Sequence, residues 1–361
     1  MGNMIYVMNV EWNWIKQRPH FLAEGLSIKH NTTILYQYGY RRRHLQKRNT
    51  SNLNLQPMYA IPRIDKYSHL KKVNNFIINK QIRRKIIAEQ PNYVFLTFPD
   101  QYSAIPKNYQ GIVIYDCMDN HSAFIKSDME KKFIEKQEHL LVERADVIFT
   151  SSRKLKEIFL DRYGKNNEKK IHIIRNGYNG KVISYTNEIR KSKKQEFVIA
   201  YFGTISDWFN LDFIVKSLSD FENLRYLLIG PVSGVNIPKV DGLDYIGTID
   251  HDRLYEVTEQ VDSYIMPFYV NEIIEAVDPV KLYEYINFNK NIICVEYAEI
   301  KRFEPFTHFY SDYKSFVEQI TLVMNSKSIK YSEQQKTEFL NKNSWEDRIK
   351  EIEAILVEIN S

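Results

Sequence analysis

Two cysteines in 361 residues exclude a disulfide framework and, by themselves, a zinc site. Cys117 and Cys294 both lie in apolar, strand-like stretches, which fits a reduced cytoplasmic protein. No run of about 18 apolar residues occurs, so no transmembrane helix is expected. The N-terminus passes straight into an apolar strand without a basic n-region or small-residue cleavage site, and no signal peptide is expected. The chain has no G-x-G-x-x-G and no G-x-x-x-x-G-K-[ST], which argues against a dinucleotide fingerprint and a P-loop. It also lacks a nucleophile elbow, an H-E-x-x-H and a paired C-x-x-C, so no hydrolase machinery is evident.

What is present is ample core material and an uneven charge. The length is long for one domain and comfortable for two, and a 43% hydrophobic fraction supports a sizeable core. Residues 1–175 carry 30 Lys/Arg against 16 Asp/Glu, whereas residues 176–361 carry 20 against 29. A basic half joined to an acidic half suggests two domains with different partners. Basic clusters occur at Arg41-Arg42-Arg43, Lys47-Arg48, Lys71-Lys72 and Arg83-Arg84-Lys85. They read either as solvated helix faces or as a surface for an anionic partner. No nucleic-acid-binding motif accompanies them, which ranks a membrane surface above nucleic acid.

Hydrophobic periodicity alternates strand and helix. In the first half, strands are expected at 4–10, 33–36, 93–98, 111–115, 147–150 and 171–174. Helices are expected at 18–29, 66–89, 126–144 and 152–163, and residues 41–57 read as a polar loop. A linker spans 175–195, with the turn signals Asn176-Gly177 and Asn179-Gly180. A second series has strands at 197–202, 225–229, 243–246, 263–266 and 291–295. Its helices include 210–219, 251–259 and 279–288, with a terminal helix at 345–359. This order implies two doubly wound parallel α/β domains in tandem, with ligands at the carboxyl ends of strands and in a cleft between the domains.

The stretch Asp278-Pro279-Val280-Lys281-Leu282-Tyr283-Glu284-Tyr285 reads as a helix start, with Asp278 as N-cap and Pro279 at the first helical position. Lys281 adds charge to the free N–H groups of the first turn, and Glu284 shares its face. Such a face suits a diphosphate with a hydroxylated sugar one turn deeper; the alternative is an ordinary capped helix with a surface ion pair. Gly203-Thr204 ends a strand at a corner where backbone can approach a phosphate, or is simply a turn. Asp116, Asp119 and His121 form a tight acid–imidazole cluster after another strand, suited to accepting a proton or to a loop hydrogen-bond network. Arg18 and His20, following Trp14, could meet a diphosphate or an acceptor anion. Trp12 and Trp14 could stack on a sugar or base, or pack inside.

The ordered set W-x-x-x-R-P-H-x-L-A (14–23), V-I-Y-D-C-M-D (113–119), A-D-V-I-F-T-S-S (145–152), I-R-N-G (174–177), Y-F-G-T-I-S-D-W-F (201–209), Y-I-G (245–247) and D-P-V-K-L-Y-E-Y (278–285) spans nearly the whole chain. It resembles GT-B glycosyltransferases of the family 4 type, in the branch that makes bacterial cell-surface polysaccharides. The resemblance implies two Rossmann-like domains facing across a cleft. Residues 1–175 would hold the acceptor, 176–344 would hold a nucleotide sugar, and helix 345–359 would return to the first domain. It implies sugar transfer with retention, no cofactor and no metal. The donor would be UDP-linked in preference to GDP-linked, and the acceptor a saccharide or lipid-linked saccharide. The protein would be cytoplasmic and peripheral at the inner face of the membrane, without nucleic acid. Gly203, Thr204, Asp278, Lys281, Tyr283 and Glu284 would contact the donor. Asp119, with Asp116 or His121, would orient or deprotonate the acceptor, and Arg18, His20 and Trp14 would contact phosphate or acceptor. Two positions depart from the pattern. Ala276 stands where relatives carry a first glutamate, with Glu272 and Glu275 out of register, and 203–208 lacks the usual Arg and Lys. A nucleotide-sugar epimerase of the same architecture and a non-catalytic partner or scaffold are the rival readings.

Overall fold

The computed structural model describes residues 2–38, 52–62, 68–184, 196–250 and 253–360. The chain divides into two compact units, one formed by residues 1–176 with 345–361 and the other by 177–344. The basic clusters at 41–43 and 47–48, and most of the expected linker, lie outside the described residues.

The first unit contains β1 (Asn3–Val7), α1 (Arg18–Lys29), β2 (Asn31–Gln37), β3 (Asn54–Met58), α2 (Ser68–Glu89), β4 (Tyr93–Leu96), β5 (Ile112–Cys117), α3 (Asp128–Arg144), β6 (Val147–Thr150), α4 (Arg153–Tyr163) and β7 (Ile171–Ile173). Its strands form a seven-stranded sheet in the order β3-β2-β1-β4-β5-β6-β7, with every pair parallel. Helices cover both faces of such a sheet, so central strands must be apolar throughout; β4 and β6 are buried along their whole length. The strand order reverses at β1/β4, the switch point where an open parallel sheet leaves a crevice at its carboxyl edge.

The second unit contains β8 (Phe197–Phe202), α5 (Leu211–Asp220), β9 (Leu224–Ile229), β10 (Leu243–Tyr245), α6 (Leu254–Thr258), β11 (Ser263–Met266), α7 (Val280–Asn287), β12 (Asn291–Val295), β13 (His308–Tyr310), α8 (Tyr313–Asn325) and α9 (Glu333–Asn341). Its parallel sheet runs β10-β9-β8-β11-β12-β13, with the switch point at β8/β11. The last helix, α10 (Trp345–Asn360), belongs to the first unit. Trp345, Ile349, Ile352 and Leu356 recur at helical spacing and are buried. Trp345 stacks on Phe21 of α1 at 4.9 Å, and Glu353 pairs with His30 at 2.8 Å.

Two strands depart from the sequence expectation. β3 overlaps the end of the stretch read as a loop; it is an edge strand, the place where a sheet tolerates Pro57, which lacks an N–H. The three-residue β13, also at an edge, is too short to show a period. Among the described residues, no helix is long and apolar enough to cross a membrane.

Candidate functional site

At the carboxyl edge of the second unit, β8 and β9 are each followed by a glycine. Gly203 has φ +146° and Gly230 has φ +133°, backbone that side chains rarely adopt. A Cβ on Gly230 would lie 2.1 Å from the Gly203 carbonyl oxygen, and a Cβ on Gly203 would lie 1.8 Å from Lys281 Cε. The two glycines therefore let one strand end nest on the other and let Lys281 lie directly over Gly203. The Gly203 N–H donates to Ile229 O at 2.8 Å, and Ile205 N–H donates to Pro231 O at 2.9 Å. The sequence reading took both Gly203 and Thr204 as phosphate donors, but the Gly203 N–H is committed to the sheet. The Thr204 N–H makes no hydrogen bond among the described residues and is the one left for a ligand.

Lys281 is half-buried on the first turn of α7. Its ammonium forms no hydrogen bond or ion pair among the described residues. Burial pushes its pKa down, while Glu284, one turn on, pulls it up. A half-buried cation at a glycine corner whose next residue has an open backbone N–H suits an anion, and Lys281 itself lies in the first turn of the eight-residue α7. Glu284 lies close enough to Tyr178 that burial and this carboxylate together push the phenol up to about 12. Tyr178 is in turn held by Asn287, whose amide donates to its hydroxyl at 2.6 Å.

Asp278 and Tyr283 occupy different positions from those expected. Pro279, not Asp278, is the N-cap, and no side chain caps α7. The Asp278 carboxylate is buried and ion-paired with Arg302, whose Nη2 also donates to the Tyr283 hydroxyl at 2.7 Å. Tyr283 is fully buried and stacks on Phe339 at 5.8 Å. Both side chains therefore tie the start of α7 to Arg302. Arg302 lies 24 residues from Asp278, so its claim on that carboxylate has no local sequence signal.

In the first unit, the carboxyl ends of β1 and β5 bring the other candidates together. Arg18 grips Asp116 through Nε (2.9 and 3.1 Å) and Nη2 (2.7 Å), with both side chains buried. Arg18 Nη1 also donates to Asn176 Oδ1 at 3.3 Å. His20 is likewise committed: Nδ1 accepts from Gln17 N–H at 3.1 Å, and Nε2 faces the carbonyls of Glu11 and Trp12. Arg18, His20 and Asp116 thus build the loop after β1 and its junction with β5. Trp12 is buried in the core, whereas Trp14 is half-buried in the same loop.

Asp119 differs from its neighbours. It is half-buried, and its carboxylate makes no hydrogen bond or ion pair among the described residues. Burial pushes its pKa from 3.8 to about 7; Arg18 opposes this and Asp116 reinforces it. A carboxyl that titrates near neutrality suits proton transfer. His121 is buried against Phe98, with ring centroids 4.8 Å apart, and burial lowers its pKa to about 4, so its imidazole is neutral. The loop carrying both residues is pinned from several sides. Ser151 Oγ donates to Met118 O at 2.7 Å, and Cys117 Sγ donates to Asp119 O at 3.1 Å. Arg162 of α4 donates to Asn120 Oδ1 at 3.1 Å and to Ser122 Oγ at 3.0 Å.

Sequence reading missed Arg162 and Asp100. Asp100 is half-buried just beyond β4, and burial raises its carboxyl to about 6. Its place after a strand end, like that of Asp119 after β5, was the available signal. Among the described residues, no group of three or more His, Cys, Asp or Glu side chains is arranged to hold a metal ion.

Two Rossmann-like units of this strand order define the GT-B architecture, and comparison with solved structures bears that out. Sucrose-phosphate synthase from Thermosynechococcus elongatus matches with a TM-score of 0.75 and 11% identity over 99% of both chains. Anabaena HepE in complex with UDP matches with a TM-score of 0.68 and 8% identity, over 99% of this chain and 100% of the other. At such identities the likeness shows the fold. In sequence, the chain is similar to TuaH of Bacillus subtilis, whose name places it in teichuronic acid biosynthesis as a glycosyltransferase. The two are 24% identical over 216 residues, 55% of this chain and 54% of that protein. The match thus spans about half of the curated relative, and it agrees with the family resemblance carried by the motifs. No protein-family model matches the chain.

Proposed function

We propose that this chain is a glycosyltransferase that moves a hexose-type sugar from a nucleoside diphosphate donor, UDP-linked, to a saccharide acceptor, lipid-linked, in cell-surface polysaccharide synthesis. The observation that carries the reading is the half-buried Lys281 ammonium lying over the Gly203 corner, beside the open Thr204 N–H and one turn from Glu284. Transfer breaks the bond between the sugar's anomeric carbon and the diphosphate oxygen, which keeps the electron pair. Charge grows on that oxygen, so a positioned cation and N–H stabilise the transition state more than the ground state. Glu284 would accept hydrogen bonds from the ribose hydroxyls. The acceptor oxygen forms the new bond to the anomeric carbon, and its proton passes to Asp119 or to the departing phosphate. With Ala276 in place of a first glutamate, sugar recognition falls on backbone groups and on Glu272 or Glu275. Reaction with retention and without a metal is part of the same proposal, inherited from the family resemblance.

A solved neighbour holds UDP, and another, an E. coli trehalose-6-phosphate protein, holds UDP-2-fluoro glucose; both support a nucleotide-sugar donor. Peripheral membrane contact is proposed through α2, whose exposed face sets Val73, Phe76 and Ile87 among Lys80, Arg83 and Arg84. Incubation with UDP-hexoses in the absence of acceptor, followed by NMR, tests the reaction class. Slow release of UDP and a free sugar with the donor's anomeric configuration is expected. An isomerised donor would identify an epimerase, and neither turnover nor nucleotide binding would identify a scaffold.

A further inference from the structure

The carboxyl ends of β2 and β3 carry three tyrosines that none of the site chemistry above uses. Tyr36 lies in β2 and Tyr38 just beyond its last residue, Gln37, so in extended backbone the two point to one side. Tyr59 follows the last residue of β3, and its ring lies 5.2 Å from that of Tyr38 at a tilt of 44°. Tyr36 and Tyr38 are half-buried and Tyr59 is 50% exposed. The backbone that carries these rings is pinned. Tyr38 N–H donates to Met58 O at 2.9 Å, locking the two strand ends together. The Gln81 amide of α2 accepts from Tyr59 N–H at 3.1 Å and donates to Tyr59 O at 2.8 Å. Two residues on, the buried Asn74 amide grips Ile61 N–H and O in the same way, at 2.8 and 3.1 Å. Two amide clamps hold the backbone of one short surface segment in place. Burial raises the Tyr36 pKa, and the Tyr59 phenol, the buried Glu11 carboxylate in the loop after β1 and the Tyr38 phenol add to it.

We propose that Tyr38 and Tyr59, with Tyr36 beside them, form a stacking platform for a pyranose ring of the acceptor, distal to the sugar that receives the transfer. The inference rests on the reading of the first unit as the acceptor-bearing one. A pyranose has an apolar C–H face and a rim of hydroxyls. Phenol rings match both, offering flat apolar faces edged by hydroxyl groups. Because every strand of this sheet is parallel, β2 and β3 end on the same edge as β1, whose following loop holds Trp14, and β5, whose following loop holds Asp119. A platform at one side of that edge and a proton acceptor nearer its middle describe an acceptor of at least two sugar units. Fixing the backbone under the rings beforehand lowers the ordering penalty that a mobile loop would pay on binding.

Saturation-transfer NMR on the full chain tests this, with maltotriose, cellotriose and chitotriose as probes at millimolar concentration. Transfer to the ring protons of at least one trisaccharide is expected. Tyr38→Ala with Tyr59→Ala should weaken it by about three- to ten-fold in affinity, while UDP binding stays unchanged. Tyr59→Phe should keep most of the signal, since it keeps the ring. The proposal is overturned if none of the three sugars receives transfer, or if the double variant matches wild type. UDP binding reports on the donor unit separately, so loss of the donor reading would show as absent UDP binding with saccharide transfer intact.

Discussion

Asp119→Asn separates the acid–base role from simple folding. Ionising this carboxyl in the folded state is opposed by burial and by Asp116, which moves its pKa from 3.8 to about 7. Such a displacement corresponds to about 4 kcal/mol at most, and for a half-buried group that water and Arg18 partly relieve, about 2 kcal/mol is expected. The folded-state pKa is raised, so this contribution is fully present below the unfolded value and is lost as pH climbs through about 7. The asparagine variant has no such loss. Its stability relative to wild type should therefore match near pH 4, rise with pH and level off above pH about 7. Urea unfolding followed by tryptophan fluorescence reads the right unit, because Trp12, Trp14 and Trp345, three of the four tryptophans, belong to it with Asp119. The same variant should lose sugar transfer while binding UDP normally. A stability difference that does not change between pH 4 and 8, or one that favours wild type at pH 8, would refute the account of Asp119 as an unpaired, desolvated carboxyl.

Gly203→Ala places a methyl against Lys281 Cε and at φ +146°; it should destabilise the second unit by about 1–3 kcal/mol and abolish UDP binding, both measurable by thermal unfolding with and without UDP. Arg162→Ala frees the Asn120–Ser122 loop, so turnover should fall by about ten-fold or more with donor affinity unchanged, and Arg162→Lys should restore part of it. Asp116→Ala leaves the Arg18 guanidinium buried without its carboxylate and should destabilise the first unit by about 3–5 kcal/mol; replacing both partners, Arg18→Met with Asp116→Leu, should lose less than the single change in urea unfolding.

The architecture was legible because parallel strands buried on both faces are apolar runs, and several of the helices between them carry side-chain caps. Ser152 and Asn210 accept from Leu155 and Phe213 N–H as such residues should. Edge strands were less legible: β3 contains Pro57 and polar residues, and β13 has three residues. In the site, Gly203 and Lys281 were picked from separate motifs, and the fold brings them into contact across 78 positions of sequence. What sequence could not show was which charges already had partners. Asp278 reads as a cap until Arg302 reaches it, and Arg18 reads as a ligand contact until Asp116, 98 residues away, closes on it. Asp119 stands out from Asp116 only through this pairing, which depends on tertiary geometry. Tyr59 and Asp100 carry no motif at all; only the fold places them just beyond strand ends.

The central claim is that the second unit binds a nucleoside diphosphate through Lys281 at the Gly203 corner. Calorimetric titration of the full chain with UDP tests it most directly. Wild type should bind, and Lys281→Ala should weaken binding by about ten-fold or more, the loss expected of one charge-assisted contact to phosphate. No heat from wild type with either UDP or GDP, or equal affinity in the Lys281→Ala variant, would contradict the account.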